Sequence, residues 1–263
     1  MKNIILLIPH YNNLMGLKES IKSINKECEL VDILVIDDGS NSKLDEESLQ
    51  SIYDGNLFVI NNRVNRGIEN VLNDGIAFSI EKNYKYIARL DCGDISLNDR
   101  FAKQYRFLEE NDNVDIVGAH VSCVNEEGAF LYNLHMPLDN ETIKKRMYLN
   151  AMLIHPTIFF RTSIVKEIGG YPIDYKSAED YAFFFKMLRK YNFANIDEVL
   201  VQIEINPNGI SSQNRDRQVK NRIKLIKENF YVGFYPIYGL IRSLILLYIP
   251  QKIIGKIKMF FLR

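Results

Sequence analysis

An α/β fold with a mainly parallel central sheet is what this sequence predicts, on three observations. Apolar runs at residues 4–8, 31–36 and 57–60, the second broken only by Asp32, read as strands buried on both faces. Segments with apolar residues at helical spacing separate them, so strand and helix alternate as in βαβ units. Polar or aromatic residues then follow three strand ends, at Pro9-His10-Tyr11-Asn12, Asp37-Asp38-Gly39-Ser40 and Asp91-Cys92-Gly93-Asp94. The carboxyl ends of strands are where open α/β sheets bind ligands.

Each element follows from its residues. The first run stops at Pro9, which has no N–H to extend a ladder. Leu17, Ile21 and Ile24 recur at helical spacing, and residues 31–36 close a βαβ unit. Residues 57–60 are a third strand, and 68–80 a helix with Val71, Leu72, Ile76 and Ile80 inward. Residues 86–90 are a fourth strand running into Asp91. Beyond Asp94 the pattern changes. Residues 99–110 read as a charged amphipathic helix, 114–124 as a strand with more alternation, and 125–140 as a hairpin or loop around Asn125-Glu126-Glu127-Gly128. A helix over 140–149, a strand over 157–160, a short helix over 163–168, a Gly169-Gly170-Tyr171-Pro172 turn and a strongly apolar helix over 180–191 follow. There is no internal repeat and no low-complexity linker. The expected organisation is therefore a lobe at 1–95, a second lobe of the same fold at 96–214, and a helical tail at 215–263.

Composition bounds the class. With 263 residues, 47% hydrophobic and 25% charged, the chain is globular and able to bury a sizeable core, which excludes a disordered protein. The first residues are too short for a signal peptide and read as a strand. Cys28, Cys92 and Cys123 show neither a disulfide pattern nor metal-ligand spacing, so a reduced, cytoplasmic setting is expected.

The net charge of zero hides an asymmetry: residues 215–263 carry eleven basic against two acidic side chains, +9, balanced by −9 over residues 1–214. Residues 231–249 are apolar but interrupted by Gly233, Pro236, Gly239 and Arg242, a poor spanning helix. From 253 onward Ile253, Ile254, Ile257, Phe260 and Phe261 share one helical face flanked by Lys252 and Lys256, a pattern suited to an anionic membrane surface. The other reading is that 241–249 packs on the body or on a second copy in a homo-oligomer. No nucleic-acid partner is expected.

The motifs can each be read two ways. Asp37 and Asp38 offer carboxylates to a nucleobase or ribose, or form an exposed turn. Tyr11 offers a ring that stacks on a base, or one that anchors a loop. Asp91 and Asp94 suit a hard divalent cation on a diphosphate, while Asp94 also suits a helix cap. Glu179-Asp180 opens an apolar helix, where acidic residues are favoured by the macrodipole; a carboxylate there is also placed to act as a general base.

Taken together and in order, these residues resemble family 2 glycosyltransferases of the GT-A fold, over roughly residues 3–212. The likeness includes Pro9-His10-Tyr11-Asn12, Asp37-Asp38-Gly39-Ser40, Asn65-Arg66-Gly67, Asn73-Asp74-Gly75, Ala88-Arg89-Leu90-Asp91, Arg100-Phe101, Gln104, His155-Pro156-Thr157, Arg161, Gly169-Gly170-Tyr171, Glu179-Asp180-Tyr181 and Ile210-Ser211. The resemblance implies a Rossmann-like nucleotide-binding lobe, an acceptor lobe, and an inverting transfer of a hexose or hexosamine from a nucleotide-diphosphate sugar, UDP-linked most often. It implies a lipid-linked surface glycan as acceptor, as in lipopolysaccharide, lipooligosaccharide or capsule, at the inner face of the cell membrane. It further implies that Pro9, Tyr11, Asp37, Asp38, Asn65, Gly67, Asn73, Arg89 and Asp91 hold the donor, and that Asp91 and Asp94 hold Mn²⁺ or Mg²⁺. Asp180 would be the base with Glu179 beside it, and His155, Gly169, Gly170 and Tyr171 would shape the sugar and acceptor side. The chain departs from the family pattern at Gly93, where a carboxylate is usual, at Leu72, where many relatives carry Arg, and at Asn206, which takes a His position. Two other classes are a sugar-nucleotide nucleotidyltransferase, which the missing Gly-rich loop after the first strand disfavours, and a non-catalytic sugar-nucleotide-binding membrane scaffold.

Overall fold

The computed structural model describes residues 2–205 and 214–248; Asn206, Ile210-Ser211 and the apolar face expected from residue 253 onward lie outside them. Among the described residues a single nine-stranded sheet runs through both expected lobes. Its strands are β1 (Ile4–His10), β2 (Val31–Asp37), β3 (Leu57–Asn61), β4 (Tyr86–Arg89), β5 (Ile95–Ser96), β6 (Ile116–Val124), β7 (Phe130–Leu134), β8 (Phe159–Arg161) and β9 (Phe193–Glu204). The order is β3-β2-β1-β4-β8-β6-β9-β5, with β7 beside β6.

The sheet has two halves of different character. β3, β2, β1 and β4 are all parallel, joined by crossover helices. β8 runs antiparallel to both β4 and β6, β6 and β9 are parallel, and β5 and β7 pair antiparallel at the margins. The chain adds β2 and β3 on one side of β1 and β4 on the other, so the strand order reverses between β1 and β4. A crevice at that switch point is the expected ligand site.

The continuous aliphatic runs divide by alternation between two cores. Ile4, Leu6 and Ile8 face α1 (Leu14–Ile24), which contributes Leu17, Ile21 and Ile24, and α4 (Arg100–Glu110), which contributes Phe101 and Leu108. Ile5 and Leu7 face α3 (Ile68–Glu81), with Val71, Leu72 and Ile76, and α7 (Glu179–Met187), with Phe183 and Phe184. Burial of each such side chain contributes roughly 1.5–3 kcal/mol. The remaining helices are α2 (Glu46–Gln50), α5 (Asn140–Arg146), α6 (Thr162–Ile168), α8 (Arg215–Glu228) and α9 (Phe234–Tyr248).

Several expectations shift. The strand expected at 157–160 is a 3₁₀ turn over His155–Thr157 followed by β8, because Thr157 turns inward and receives the Ala119 N–H on Oγ1 at 3.1 Å. β9 has twelve residues and follows the apolar helix, which ends earlier than expected. Its central residues are polar and exposed, which hid it from a pattern search. In the tail, Pro236, Gly239 and Ser243 of α9 face the body, while Phe234, Ile237, Ile241, Ile245 and Tyr248 remain exposed. Among the described residues no helix is long and apolar enough to cross a membrane.

Candidate active site

Two cavities open at the carboxyl ends of the parallel strands and meet at Ile68, Asp91 and Glu179. One, of about 640 Å³, gathers Pro9 and Tyr11 from the end of β1, Asp38 from the end of β2, and Asn65 and Gly67 ahead of α3. The other, of about 970 Å³, is lined by Arg89, His155 and Asp180 on one side and by α9 and the end of α5 on the other.

The first cavity is assembled by backbone hydrogen bonds to a carboxylate. Asp38 is buried, and its two oxygens accept the N–H groups of Arg66 at 2.7 Å and Gly67 at 3.0 Å, pinning the loop that enters α3. Gly67 has φ of +90°, a conformation open to glycine and strained for other residues. Tyr11 is 52% exposed, so its ring is presented rather than packed. Asp37 is turned the other way, because successive side chains of a strand point to opposite faces. Its carboxylate takes the His10 ring Nδ1 at 2.7 Å and the Ser40 N–H at 2.9 Å. The Asn13 N–H donates to His10 Nε2, so Nδ1 carries the ring proton given to Asp37. Asp37 therefore braces the turn and does not line the cavity.

The junction concentrates charge. Asp91 at the end of β4 is about half exposed and is ion-paired to the buried Arg89. Its recess raises the carboxyl, but the charge and the hydrogen bond of Arg89 outweigh this and hold it below the usual range. Burial, followed by the adjacent Asp180, pushes the Glu179 carboxyl up to about 7, and its Oε2 is buried without a partner. Burial also raises Asp180; the Tyr181 N–H on its Oδ1 at 2.6 Å pulls the other way, and Asp91 adds to the rise. Burial and Arg89 lower His155 to about 3, against the pull of Asp91, so it is a neutral imidazole, held through Nε2 by the Tyr171 hydroxyl at 2.8 Å. Burial pushes the Cys92 thiol, on the wall of the first cavity, up to about 12, which leaves no thiolate nucleophile there.

A buried polar spine holds Asp91 in place from behind. Arg100 Nη2 donates to the Arg89 carbonyl at 2.8 Å and its Nε to Gln104 at 2.9 Å; Gln104 in turn donates to the Thr157 carbonyl at 2.8 Å. Burial lowers the Arg100 guanidinium to about 9. Arg161 ties Val114 and Leu108 carbonyls at the other end of β8.

The structure separates the other expected site residues from the cavities. Asp94 is buried and lines neither; Ser20 Oγ donates to its carbonyl at 2.8 Å, and burial reinforced by Asp91 pushes its carboxyl well above the usual range. Asn73 is committed to the turn after α6, accepting the Tyr171 N–H at 2.7 Å and donating to the Tyr171 carbonyl at 3.0 Å. Gly169 ends α6 with φ of +72°, and Gly170 offers its carbonyl to Lys186 at 2.8 Å. Gly169, Gly170 and Tyr171 thus line neither cavity, and Tyr171 touches His155 and Asn73.

Sequence reasoning missed several lining residues. Lys176 and Arg217 reach the first cavity, and Arg146, Asn150, Tyr238 and Arg242 the second. The clustering of basic residues after 214 was the one signal available for Arg217 and Arg242.

For a cation, Asp91 is the carboxylate at the junction, Gly93 supplies no side chain, and Asp94 is turned away. A divalent ion that keeps waters and takes its remaining ligands from a diphosphate needs only one or two protein carboxylates, which Asp91 fits. Among the described residues a second group, His120, His135 and Asp197, lies close enough to gather around an ion. There the Met136 N–H donates to His120 Nδ1 at 3.1 Å, which places the ring proton on Nε2, directed at Asp197 at 3.0 Å. An ion there would have to displace the Nε2 proton that His120 gives to Asp197.

Comparison with known proteins matches this frame. Residues 5–169 match the sequence profile described as Glycosyl transferase family 2. The chain is 28% identical over 248 residues to the bifunctional glycosyltransferase pgtA of Dictyostelium discoideum, covering 79% of this chain and 31% of that one. It is 32% identical over 125 residues to the O-antigen biosynthesis glycosyltransferase WbnJ of Escherichia coli, covering 46% of this chain and 48% of that one. The chain thus spans about a third to a half of the length of these curated relatives. In fold it is similar to S. aureus TarS 1-349 in complex with UDP-GlcNAc, at a TM-score of 0.65 and 18% identity over 93% of this chain and 72% of that one. It is also similar to the mannosyltransferase PcManGT from Pyrobaculum calidifontis in complex with GDP-Man and Mn²⁺, at 0.64 and 15% over 93% and 69%. The architecture is accordingly the GT-A fold that the motif order implied.

Proposed function

This chain belongs to glycosyltransferase family 2, and from that premise we propose that it moves a hexose or hexosamine from a UDP-sugar to a hydroxyl of a lipid-linked surface glycan, with inversion at the anomeric carbon. One observation carries the reading: a cavity lined by the nucleotide motifs and a cavity lined by Asp180 meet at Asp91 and Glu179. A single in-line displacement needs the leaving diphosphate and the incoming hydroxyl on opposite sides of the anomeric carbon.

The donor lies in the first cavity, its base against the Tyr11 ring and beside Asp38, with Lys176 and Arg217 neutralising the diphosphate. TarS, similar in fold, is described with UDP-GlcNAc, and that supports a UDP-sugar. Asp180 lines only the second cavity, where the acceptor hydroxyl must stand, and takes its proton. Its raised pKa makes it a better base than an ordinary aspartate. Glu179 stands at the junction, where its unpartnered oxygen accepts a sugar hydroxyl. His155, neutral and locked by Tyr171, orients the sugar without adding charge. Mn²⁺ or Mg²⁺, when bound at Asp91, supplies charge stabilisation for the diphosphate. The similarity to WbnJ supports a surface glycan as acceptor. The exposed apolar face of α9 supports a seat on the membrane surface.

The test is UDP release from UDP-sugars with and without Mn²⁺ or Mg²⁺, read beside thermal protection by UDP-, GDP- and dTDP-sugars. The reading expects a UDP-sugar to protect most and turnover to need the cation. Protection by none of the donors would overturn it.

A further inference from the structure

The second cavity has a bipolar lining. Asp91, Glu179 and Asp180 stand where the chemistry is placed, while Arg146 from the last turn of α5 and Arg242 from α9 line another stretch, with Asn150 between them in sequence. Among the described residues the arginines in ion pairs are Arg66, Arg89, Arg161 and Arg215; Arg146, Arg222 and Arg242 have no carboxylate partner. Guanidiniums gathered at one turn repel each other: burial lowers the pKa of Arg222, Tyr181 offsets part of this, Arg242 adds to the fall, and Asp180 opposes it. Such a cluster persists where a ligand supplies the anion.

The cluster is built, not loose. Arg242 Nη1 donates to the Leu149 carbonyl at 2.8 Å, fixing its guanidinium over the turn. Arg222 Nη2 donates to Asn150 Oδ1 at 2.7 Å, which leaves the Asn150 amide NH₂ as a further donor. α9 is seated tightly: a Cβ at Gly239 would lie 2.1 Å from the Tyr148 carbonyl oxygen. Tyr238, which lines the cavity, is also part of the exposed face that continues through Ile241 and Ile245. An occupant held by the arginines has an apolar surface beside it.

We infer that Arg146, Arg242 and the Asn150 amide form a subsite for a phosphate on the acceptor, of the kind that joins a glycan to a lipid, with the lipid along α9. The inference rests on the reading that the second cavity takes the acceptor. It also orients the acceptor: with the phosphate held by Arg146 and Arg242, a hydroxyl is left to be presented to Asp180 in the same cavity. The tail is thereby part of the substrate cleft and sets specificity.

The experiment uses the full chain with saturating UDP and Mn²⁺, so that the donor site is filled, and titrates farnesyl monophosphate, farnesol, inorganic phosphate and glucuronic acid. Farnesyl monophosphate is expected to bind at least tenfold more tightly than farnesol, with inorganic phosphate competing. Arg146→Gln, at an exposed residue whose side chain makes no internal hydrogen bond, and Arg242→Gln should each weaken it about tenfold or more while leaving UDP affinity unchanged, with Arg146→Lys restoring part of the loss. Farnesol binding as well as its phosphate, or indifference to both substitutions, overturns the subsite. Glucuronic acid binding in an arginine-dependent way while farnesyl monophosphate does not would overturn the lipid phosphate in favour of a sugar carboxylate. Failure of the glycosyltransferase reading shows separately, as an unmodified protein that neither binds UDP nor releases it from a UDP-sugar.

Discussion

The two cavities are built in different ways. One wall of the first is made by residues that follow the ends of neighbouring parallel strands, within short motifs, and Lys176, Glu179 and Arg217 close it from distant segments. The second collects α5, the loop after it, β4, α7 and α9, segments separated by up to about a hundred and fifty residues. The difference teaches that a parallel sheet brings its strand ends together by topology alone, so local motifs supply one wall of the first cavity. The second cavity depends throughout on packing of distant segments, the tail among them, on the body.

Asp180→Asn is the largest expected disruption of that division. It should lower kcat by about 10²–10⁴-fold with UDP affinity unchanged, measured by UDP release and by titration. In the unmodified protein the same base must be ionised, so kcat should rise with pH through a value above the ordinary aspartate range, as its burial directs. A variant that keeps full activity would remove Asp180 from the mechanism.

Gly239→Ala comes next, since its methyl would meet the Tyr148 carbonyl. The mutation should shift α9, cost about 1–3 kcal/mol of stability and raise acceptor KM several-fold, while the donor KM stays. A donor KM that moved equally would mean that the two cavities are not separable. On the other side Tyr11→Ala should weaken UDP by about tenfold, roughly 1.4 kcal/mol, with acceptor KM unchanged; calorimetry with UDP alone decides it.

The smallest effect tests the junction. The Glu179 carboxyl is raised to about 7 in the fold from an ordinary value of 4.5. The folded state therefore holds a proton more tightly than the unfolded chain. The stabilisation is complete below about 4.5 and is lost as pH rises through about 7. Glu179→Gln should remove this dependence, leaving the variant about 1 kcal/mol more stable than the parent at pH 8, a value reduced for the shared titration with Asp180. Denaturant melts at pH 5 and 8 measure it, and an identical pH slope in both proteins would contradict the assignment.

Particular residues show how far the sequence reaches. The strands from Ile4, Val31 and Leu57 were legible because nearly continuous apolar runs have few other uses in a globular chain. Tyr11, Asp38 and Asp91, expected at strand ends, do line the cavities that open there. Asp37 and Asn73 were not separable from them: neighbours on a strand differ in face, and Asn73 finds its partner at Tyr171, 98 residues away. Asp94 looked like a metal ligand by spacing, and only burial and its position away from both cavities set it apart.

What the sequence determined by itself was the alternation of strand and helix, the strand-end chemistry, the family and the charge asymmetry of the tail, all of which are properties of residue type and spacing along the chain. Tertiary structure decided which carboxylates line the cavities, that Tyr171 holds His155 and that Arg242 of the tail joins Arg146 in lining the second. The physical reason is range: periodicity and capping act over a few residues, whereas a side chain's exposure, partner and pKa are set by whatever the fold brings within a few ångströms of it.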